Sequence, residues 1–259
     1  MREAVVSAAR FISTRAAEPI GLGDVADHVG YSPFHLARVF EQELGLPPGQ
    51  YLTARRFEKA KQLLLRGDER IIDVCNAVGF SAPGTFTTRF TAAVGATPVE
   101  FRRLPEVLTG SPPRPVVLPG GDRTGGTVMG TVRLSPAAAV ALGPDPAVYV
   151  GLFPKRVARG FPVSGTLLAQ PGDFLLGGVP PGTYWVLSSA LPSRAGAAAQ
   201  LLPGRSVVGA SSRAVHVSAQ APVHQRDVHL DLGADWSTPV LIALPALASA
   251  GAQDRRRRR

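Results

Sequence analysis

At 259 residues, with 45% of them hydrophobic, the chain has enough apolar material for two separate cores. A single cysteine excludes a disulfide framework, and the lack of any run of ~18 apolar residues excludes a bilayer-crossing helix, so a soluble protein of the cytoplasm with no membrane partner is expected. The formal charge of +9 points to a polyanionic partner, although five of the positives are Arg255–Arg259 and residues 1–104 hold 13 Arg and Lys against 11 Asp and Glu.

Prolines are sparse up to Leu104 and crowd the chain from Pro105 onward, so long helices are predicted in the first part and not in the second. Val5, Val6, Ala9 and Ile12 recur at helical spacing over Arg2–Ala17, before Pro19 and Gly21. A short helix over Asp24–Val29 ends at Gly30. Ser32 then offers an N-cap oxygen, Pro33 takes the first helical position, and Leu36, Val39 and Phe40 form the inner stripe of a helix stopped by Gly45. Gln50–Leu65 places Tyr51, Ala54, Phe57, Ala60, Leu63 and Leu64 on one face of a long amphipathic helix.

After Gly67 the pattern restarts. VGYSPFHLARVF at Val29–Phe40 returns as VGFSAPGTFTTRF at Val78–Phe90, offset by 49 residues up to the serine and by 50 beyond it. One residue has therefore been inserted after Ser81. Each copy reads as short helix, glycine turn, serine cap, second helix and glycine stop, which is the unit that offers its second helix to a DNA major groove. With Leu36, Val39 and Phe40 inward, the face left for a partner carries Pro33, Phe34, His35, Ala37, Arg38, Glu41 and Gln42, with Ser32 at its start. Arg38 can donate two parallel bonds to guanine, His35 can meet a base edge or a phosphate, and Phe34 can lie on a thymine methyl. Ser81, Ala82, Gly84, Thr85, Thr88 and Arg89 take the corresponding places in the second copy. Arg55, Arg56, Arg102 and Arg103 suit phosphates better than bases, with Arg55 and Arg102 equally able to pair with Glu58 or Glu100.

These residues resemble the DNA-binding domain of the AraC/XylS family of bacterial transcription regulators. Ala26, Gly30, Ser32, Leu36, Arg38, Phe40, Gly45, Tyr51, Arg55, Ala60 and Leu63–Leu64 carry the likeness in the first unit. Ile72, Gly79–Ser81, Phe86, Phe90, Gly95, Thr97–Pro98 and Phe101–Arg102 carry it in the second. The resemblance implies two recognition helices in successive major grooves of double-stranded DNA, held apart by the long helix. It also implies RNA polymerase and a small-molecule effector as further partners. In one respect the chain departs from the family, which often has a basic residue two positions after the aromatic matching Phe86. Thr88 stands there and Arg89 one later, a rotation of ~100° that turns Arg89 toward phosphate.

From Pro105 to Gly126 a Pro/Gly-rich connector is predicted. Beyond it, short apolar segments separated by turns at Thr127–Leu134, Ala147–Phe153, Gly165–Ala169, Asp173–Val179, Thr183–Ser189, Ala214–Ala219 and Asp227–Leu232 predict an antiparallel β-sandwich. GDFLLGGVPPGTYWVLSS resembles a hairpin of carboxypeptidase-regulatory-like or transthyretin-like sandwiches. Tyr184 and Trp185 alternate on one strand, so one is expected in the core and the other at its rim. His216, His224 and His229 have no Cys or acidic set at metal-ligand spacing, and no hydrolase or nucleotide-binding motif appears. No metal, cofactor or enzymatic role is expected. Cys75 matches Ala26 and is expected to be buried.

The expected organisation is a DNA-binding domain of two helix-turn-helix units at 1–104, a linker at 105–126, a β-sandwich at 127–233 and a mobile tail at 234–259. A sequence-specific transcription regulator follows, with an effector-sensing or protein-docking sandwich. The competing reading is an interaction adaptor whose helical part does not bind DNA.

Overall fold

Punctuation in the first part of the sequence becomes seven helices in the structure, a computed structural model that describes residues 2–108, 116–118, 120–121, 125–192, 196, 200–202, 206–218 and 223–243. They are α1 (Arg2–Thr14), α2 (Leu22–Val29), α3 (Pro33–Leu44), α4 (Pro48–Arg66), α5 (Ile71–Ala77), α6 (Pro83–Val94) and α7 (Pro98–Leu108). α1 buries Val5, Ala8, Ala9 and Ile12. α2 opens with the Gly21 amide on the Asp24 carboxylate at 2.7 Å, and closes at Gly30, whose φ of 69° favours glycine.

The internal repeat is also a repeat of hydrogen bonds. Tyr31 N donates to Ala26 O and Phe80 N to Cys75 O, each at 3.0 Å, so both turns leave the short helix in the same way. Gly45 N bonds Glu41 O at 2.8 Å, and Gly95 N bonds Thr91 O at 2.9 Å, so both second helices stop in the same way. Cys75 is buried like Ala26. The entry to the second helix differs. Ser32 caps α3 by accepting from the His35 amide at 3.3 Å, whereas α6 is entered from Ala82 with no side-chain cap bond. The inserted residue has moved Ser81 one place too early, because proline keeps the first helical position in both copies; the expected serine cap of α6 is corrected accordingly.

Aromatic rings fix α4 to both halves. Tyr51 meets Phe40 edge-on at 5.3 Å, and two turns later Phe57 stacks on Phe80 at 5.4 Å and meets Phe90 at 5.5 Å. Phe86 and Phe101 extend the second cluster, and all of these rings except the half-buried Phe80 are fully buried. Removing such rings from water contributes most of what favours the helical arrangement.

By its internal packing the chain forms two units. The first is Met1–Arg102 together with Ala234–Leu241, and the second holds Arg103–Gly233 and the residues from Ile242 on. The division falls within α7. Ala234–Leu241 was expected in a mobile tail; it is instead held against the helices by hydrogen bonds to its main chain, which leave no trace in side-chain pattern. Arg255–Arg259 lie outside the described residues.

The second unit contains β1 (Val116–Leu118), β2 (Gly126–Leu134), α8 (Pro136–Leu142), β3 (Pro146–Phe153), β4 (Gly165–Leu168), β5 (Asp173–Val179), β6 (Gly182–Pro192), β7 (Val207–Ala210), β8 (Val215–Val217), β9 (Val223–Gln225) and β10 (Val228–Leu232). Their pairing follows one path, β1-β4-β3-β6-β7-β10-β2-β5, with β8 beside β6 and β9 beside β2. The β-rich second part is as expected, with two pairings that depart from a wholly antiparallel arrangement. β10 and β9 both run parallel to β2, and β2, β3, β5, β6, β7, β8 and β10 share one core with α8 inside a nearly closed sheet. Alternation of apolar residues assigns faces to a strand, but says nothing about its neighbour or direction. Tyr184 is in the core, while Trp185 is half-buried at its rim with the Arg156 guanidinium 5.5 Å over its ring. His216 receives or gives a 2.8 Å bond at Thr183 Oγ1.

Candidate nucleic-acid interface

α3 buries Leu36, Val39 and Phe40, and this orientation leaves Ser32, Pro33, Phe34 and Arg38 exposed, with Phe34 at 83% of its free accessibility. A phenylalanine so exposed gains nothing from the fold, and its ring is available to a partner. His35 is half-buried because its ring lies edge-on to Tyr31 at 4.8 Å, and Ala37 is half-buried beside it. In α6 the buried set is Phe86, Phe90, Ala93 and Val94. Ser81, Ala82, Pro83, Gly84, Thr85, Thr88 and Arg89 are all exposed. Each second helix thus presents a polar or small-residue flank opposite its apolar stripe, and the small residues of α6 permit close backbone approach.

The two flanks are chemically unequal. α3 offers a guanidinium, an imidazole and an aromatic ring, while α6 offers two hydroxyl-methyl side chains and Arg89. Burial and the positive charge of Arg89 both hold the Arg56 guanidinium below its usual proton affinity. Arg56 donates to Ala16 O at 2.6 Å and Glu18 O at 2.8 Å, and its guanidinium lies over the Phe80 ring. Arg56 is therefore spent on the α1–α2 connection.

Two expected interface residues have partners within the fold. Arg55, with only 12% of its side chain exposed, bonds Glu58 at 2.9 Å, the Tyr51 hydroxyl at 2.7 and 2.9 Å, and the carbonyls of Asp235 and Ser237 at 2.6 and 2.8 Å. Its donors are occupied, so it belongs to the fold and not to a phosphate clamp. Arg102 donates to the Glu69 carbonyl, and Glu100, its expected partner, instead accepts from the Thr97 amide at 2.8 Å. That bond and the Thr97 hydroxyl hold the Glu100 carboxyl below its usual range and close a capping box at the start of α7.

Lys61 is the residue that sequence reasoning missed. It lies on α4 with 1% exposure, its ammonium 3.3 Å from the carbonyls of both Val240 and Leu241 and 5.5 Å from the centre of the Phe101 ring. Burial pushes its pKa down to about 8, with Glu58 opposing. Its position next to Ala60 on the inner side of the helical period was the available signal.

A family profile described as a helix-turn-helix domain matches residues 25–104. The HTH-type transcriptional activator AarP of Providencia stuartii is 35% identical over 83 residues, 32% of this chain and 62% of AarP. The probable transcription factor PqrA of Proteus vulgaris is 36% identical over 85 residues, 33% of this chain and 70% of PqrA. The right origin-binding protein of Escherichia coli K12 is 36% identical over 89 residues, or 34% of this chain, and the match spans 31% of that protein. Among solved structures, an AraC-type regulator from Chromobacterium violaceum is 29% identical, covering 43% of this chain and 96% of its own, with a TM-score of 0.39. All four matches involve less than half of this chain, and two of the three named relatives are matched over less than two thirds of their length.

Proposed function

We propose, on the premise that this chain belongs to the AraC/XylS family of transcription regulators, that its helical unit is a sequence-specific reader of a bipartite site in double-stranded DNA. The observation that carries the reading is the repeated, outward-facing flank of α3 and α6, set up twice by the same hydrogen-bonded turn and the same buried stripe. α4 is 19 residues long, or ~28 Å, a fitting separation for two readers one duplex turn of ~34 Å apart.

Within this reading Arg38 is the leading base reader, bidentate on guanine, with His35 on a base edge or phosphate and Phe34 on a thymine methyl. Thr85 and Thr88 read the second half-site through hydroxyl and methyl, and Arg89 meets a phosphate. Ser32, Pro33, Ala37, Ser81, Ala82 and Gly84 line the approach. Arg55 is left out because its guanidinium serves the fold, and Arg102, with one bond to the Glu69 carbonyl, is kept as a phosphate contact. The β unit senses an effector or docks a protein, and RNA polymerase is a partner if the chain activates as AarP is named for doing.

Duplexes selected by the whole chain from a random-sequence pool give the test. Arg38→Ala is expected to lose about 1–3 kcal/mol of discrimination at one base pair while keeping most non-specific binding. Equal affinity of the unaltered chain for all duplexes would overturn sequence-specific reading.

A further inference from the structure

After Arg102 the chain leaves the helical unit, returns to it for Ala234–Leu241, and leaves again at Ile242. The returning eight residues contain no helix or strand; they open on a turn, closed by the Ser237 amide on Ala234 O at 2.9 Å, and run along α4. What α4 binds in them is main chain. The Tyr51 hydroxyl donates to Trp236 O at 2.8 Å, Arg55 donates to Asp235 O and Ser237 O, and Lys61 donates to Val240 O and Leu241 O. Donors aimed at main-chain carbonyls, with a few side-chain contacts for register, are the chemistry by which a peptide backbone is recognised. Register comes from Asp235 on Arg10 at 3.1 Å, from the Arg2 guanidinium 6.0 Å over the Trp236 ring, and from the burial of Pro239 and Leu241.

The donors extend from Tyr51 to Lys61, ~15 Å along the helix. At one end the peptide reaches the first helix-turn-helix half, through Arg10 of α1 and a 3.5 Å bond from the Thr238 hydroxyl to the carbonyl of Leu44. At the other it meets Lys61, which stands over Phe101 of α7 beside the second half. We propose that α4 carries an acceptor groove for a peptide backbone that enters through a turn, that its occupant is the chain's own Ala234–Leu241, and that this docked segment splints the two helix-turn-helix halves so that both engage DNA together. The last part rests on the DNA reading proposed above; the acceptor groove does not.

Splinting acts through effective concentration. Two half-sites held at the right separation bind as one, and freedom about α4 forfeits part of that gain. The segment is joined on both sides to the second unit. Gly233 donates to Ser206 O there, and the very next amide, Ala234, bonds Ser237 Oγ within the helical unit.

The test replaces residues 234–241 of the whole chain by an eight-residue Gly/Ser sequence and uses a fluorescent peptide of Ala234–Leu241. The peptide is expected to bind the replaced chain and to bind the unaltered chain at least tenfold more weakly. The replaced chain is expected to hold the selected bipartite duplex about tenfold more weakly while binding each isolated half-site unchanged, and free peptide should restore the loss. If the unaltered chain selects no duplex, DNA reading fails and peptide binding alone decides the groove. No peptide binding to a replaced chain of native helical circular dichroism overturns the groove, and unchanged duplex affinity overturns the splint. If the replacement lowers the helical signal, Asp235→Lys is used in a Trp185→Phe background. Red-shifted Trp236 emission with weaker bipartite binding is then expected, and unchanged values of either overturn the corresponding part.

Discussion

Lys61 gives the helical unit a stability that should rise with pH. Its ammonium is buried, and its folded pKa is lowered from the usual 10.5 to about 8. Below about pH 8 both folded and unfolded chains hold the proton, and the folded chain bears the cost of a buried charge. Between about pH 8 and 10.5 the unfolded chain still holds the proton that the folded chain has released. The unfolded state then binds more protons, so stability climbs through this window. The distance from 10.5 to about 8 corresponds to roughly 3 kcal/mol. This is a ceiling, because the Val240 and Leu241 carbonyls and the Phe101 ring all favour the charged form. Burial also raises the Tyr51 hydroxyl, which works in the opposite sense at the alkaline end. The comparison is therefore with Lys61→Met, which keeps the length and apolar character of the stem and removes only the ammonium. Urea unfolding followed by far-ultraviolet circular dichroism at pH 7, 8, 9 and 10 is the assay. The unaltered chain should gain up to about 3 kcal/mol on Lys61→Met across the series, and the variant should be at least as stable as the unaltered chain at pH 7. Parallel pH profiles for the two chains would refute the reasoning, since Lys61 would then be solvated or would keep its ordinary proton affinity in the fold.

Two further outcomes are expected. Gly30→Ala and Gly79→Ala both place a side chain at positive φ, costing about 1–2 kcal/mol, but a Cβ at Gly79 would also stand 2.7 Å from the Ala17 carbonyl whereas Gly30 has open space. Thermal melts should show Gly79→Ala clearly the worse, and equal losses would contradict the close approach. Phe57→Ala removes the ring that joins Phe80, Phe86 and Phe90 and should cost roughly 3–5 kcal/mol in the same urea assay; a loss below about 1 kcal/mol would mean the cluster can close without it.

The helical unit was readable because its punctuation is chemical. Gly30, Gly45, Gly79 and Gly95 take positive φ, and Pro33 and Pro83 start helices, so the residues themselves announce the turns. Ser81 misled because a cap is defined by one position, and a single inserted residue moves it. In the second unit the apolar segments were visible, but β1, β7 and β9 are three or four residues long and gave too little pattern to read. α8 was missed although Ser135 caps it from the Ala138 amide and Pro136 opens it, because PAAAVAL reads as one more apolar stretch between strands. Parallel pairing of β10 with β2 joins segments nearly a hundred residues apart, which local periodicity cannot express. At the interface, the exposure of Arg38, Phe34, Thr85 and Thr88 followed from the helical period alone. The assignments of Arg55 and Lys61 did not, because their partners are carbonyl oxygens, and every residue type carries one.

The return of Ala234–Leu241 to the helices also sets an order of events during synthesis. All seven helices leave the ribosome well before their last eight partner residues exist, and at ~5–20 residues per second the interval is on the order of ten seconds. Through that interval the nascent helices can assemble around Phe57 with the flank of α4 wet and Lys61 hydrated. The lysine loses its water only when translation has passed Leu241, making its desolvation a late step in the maturation of the unit that was made first.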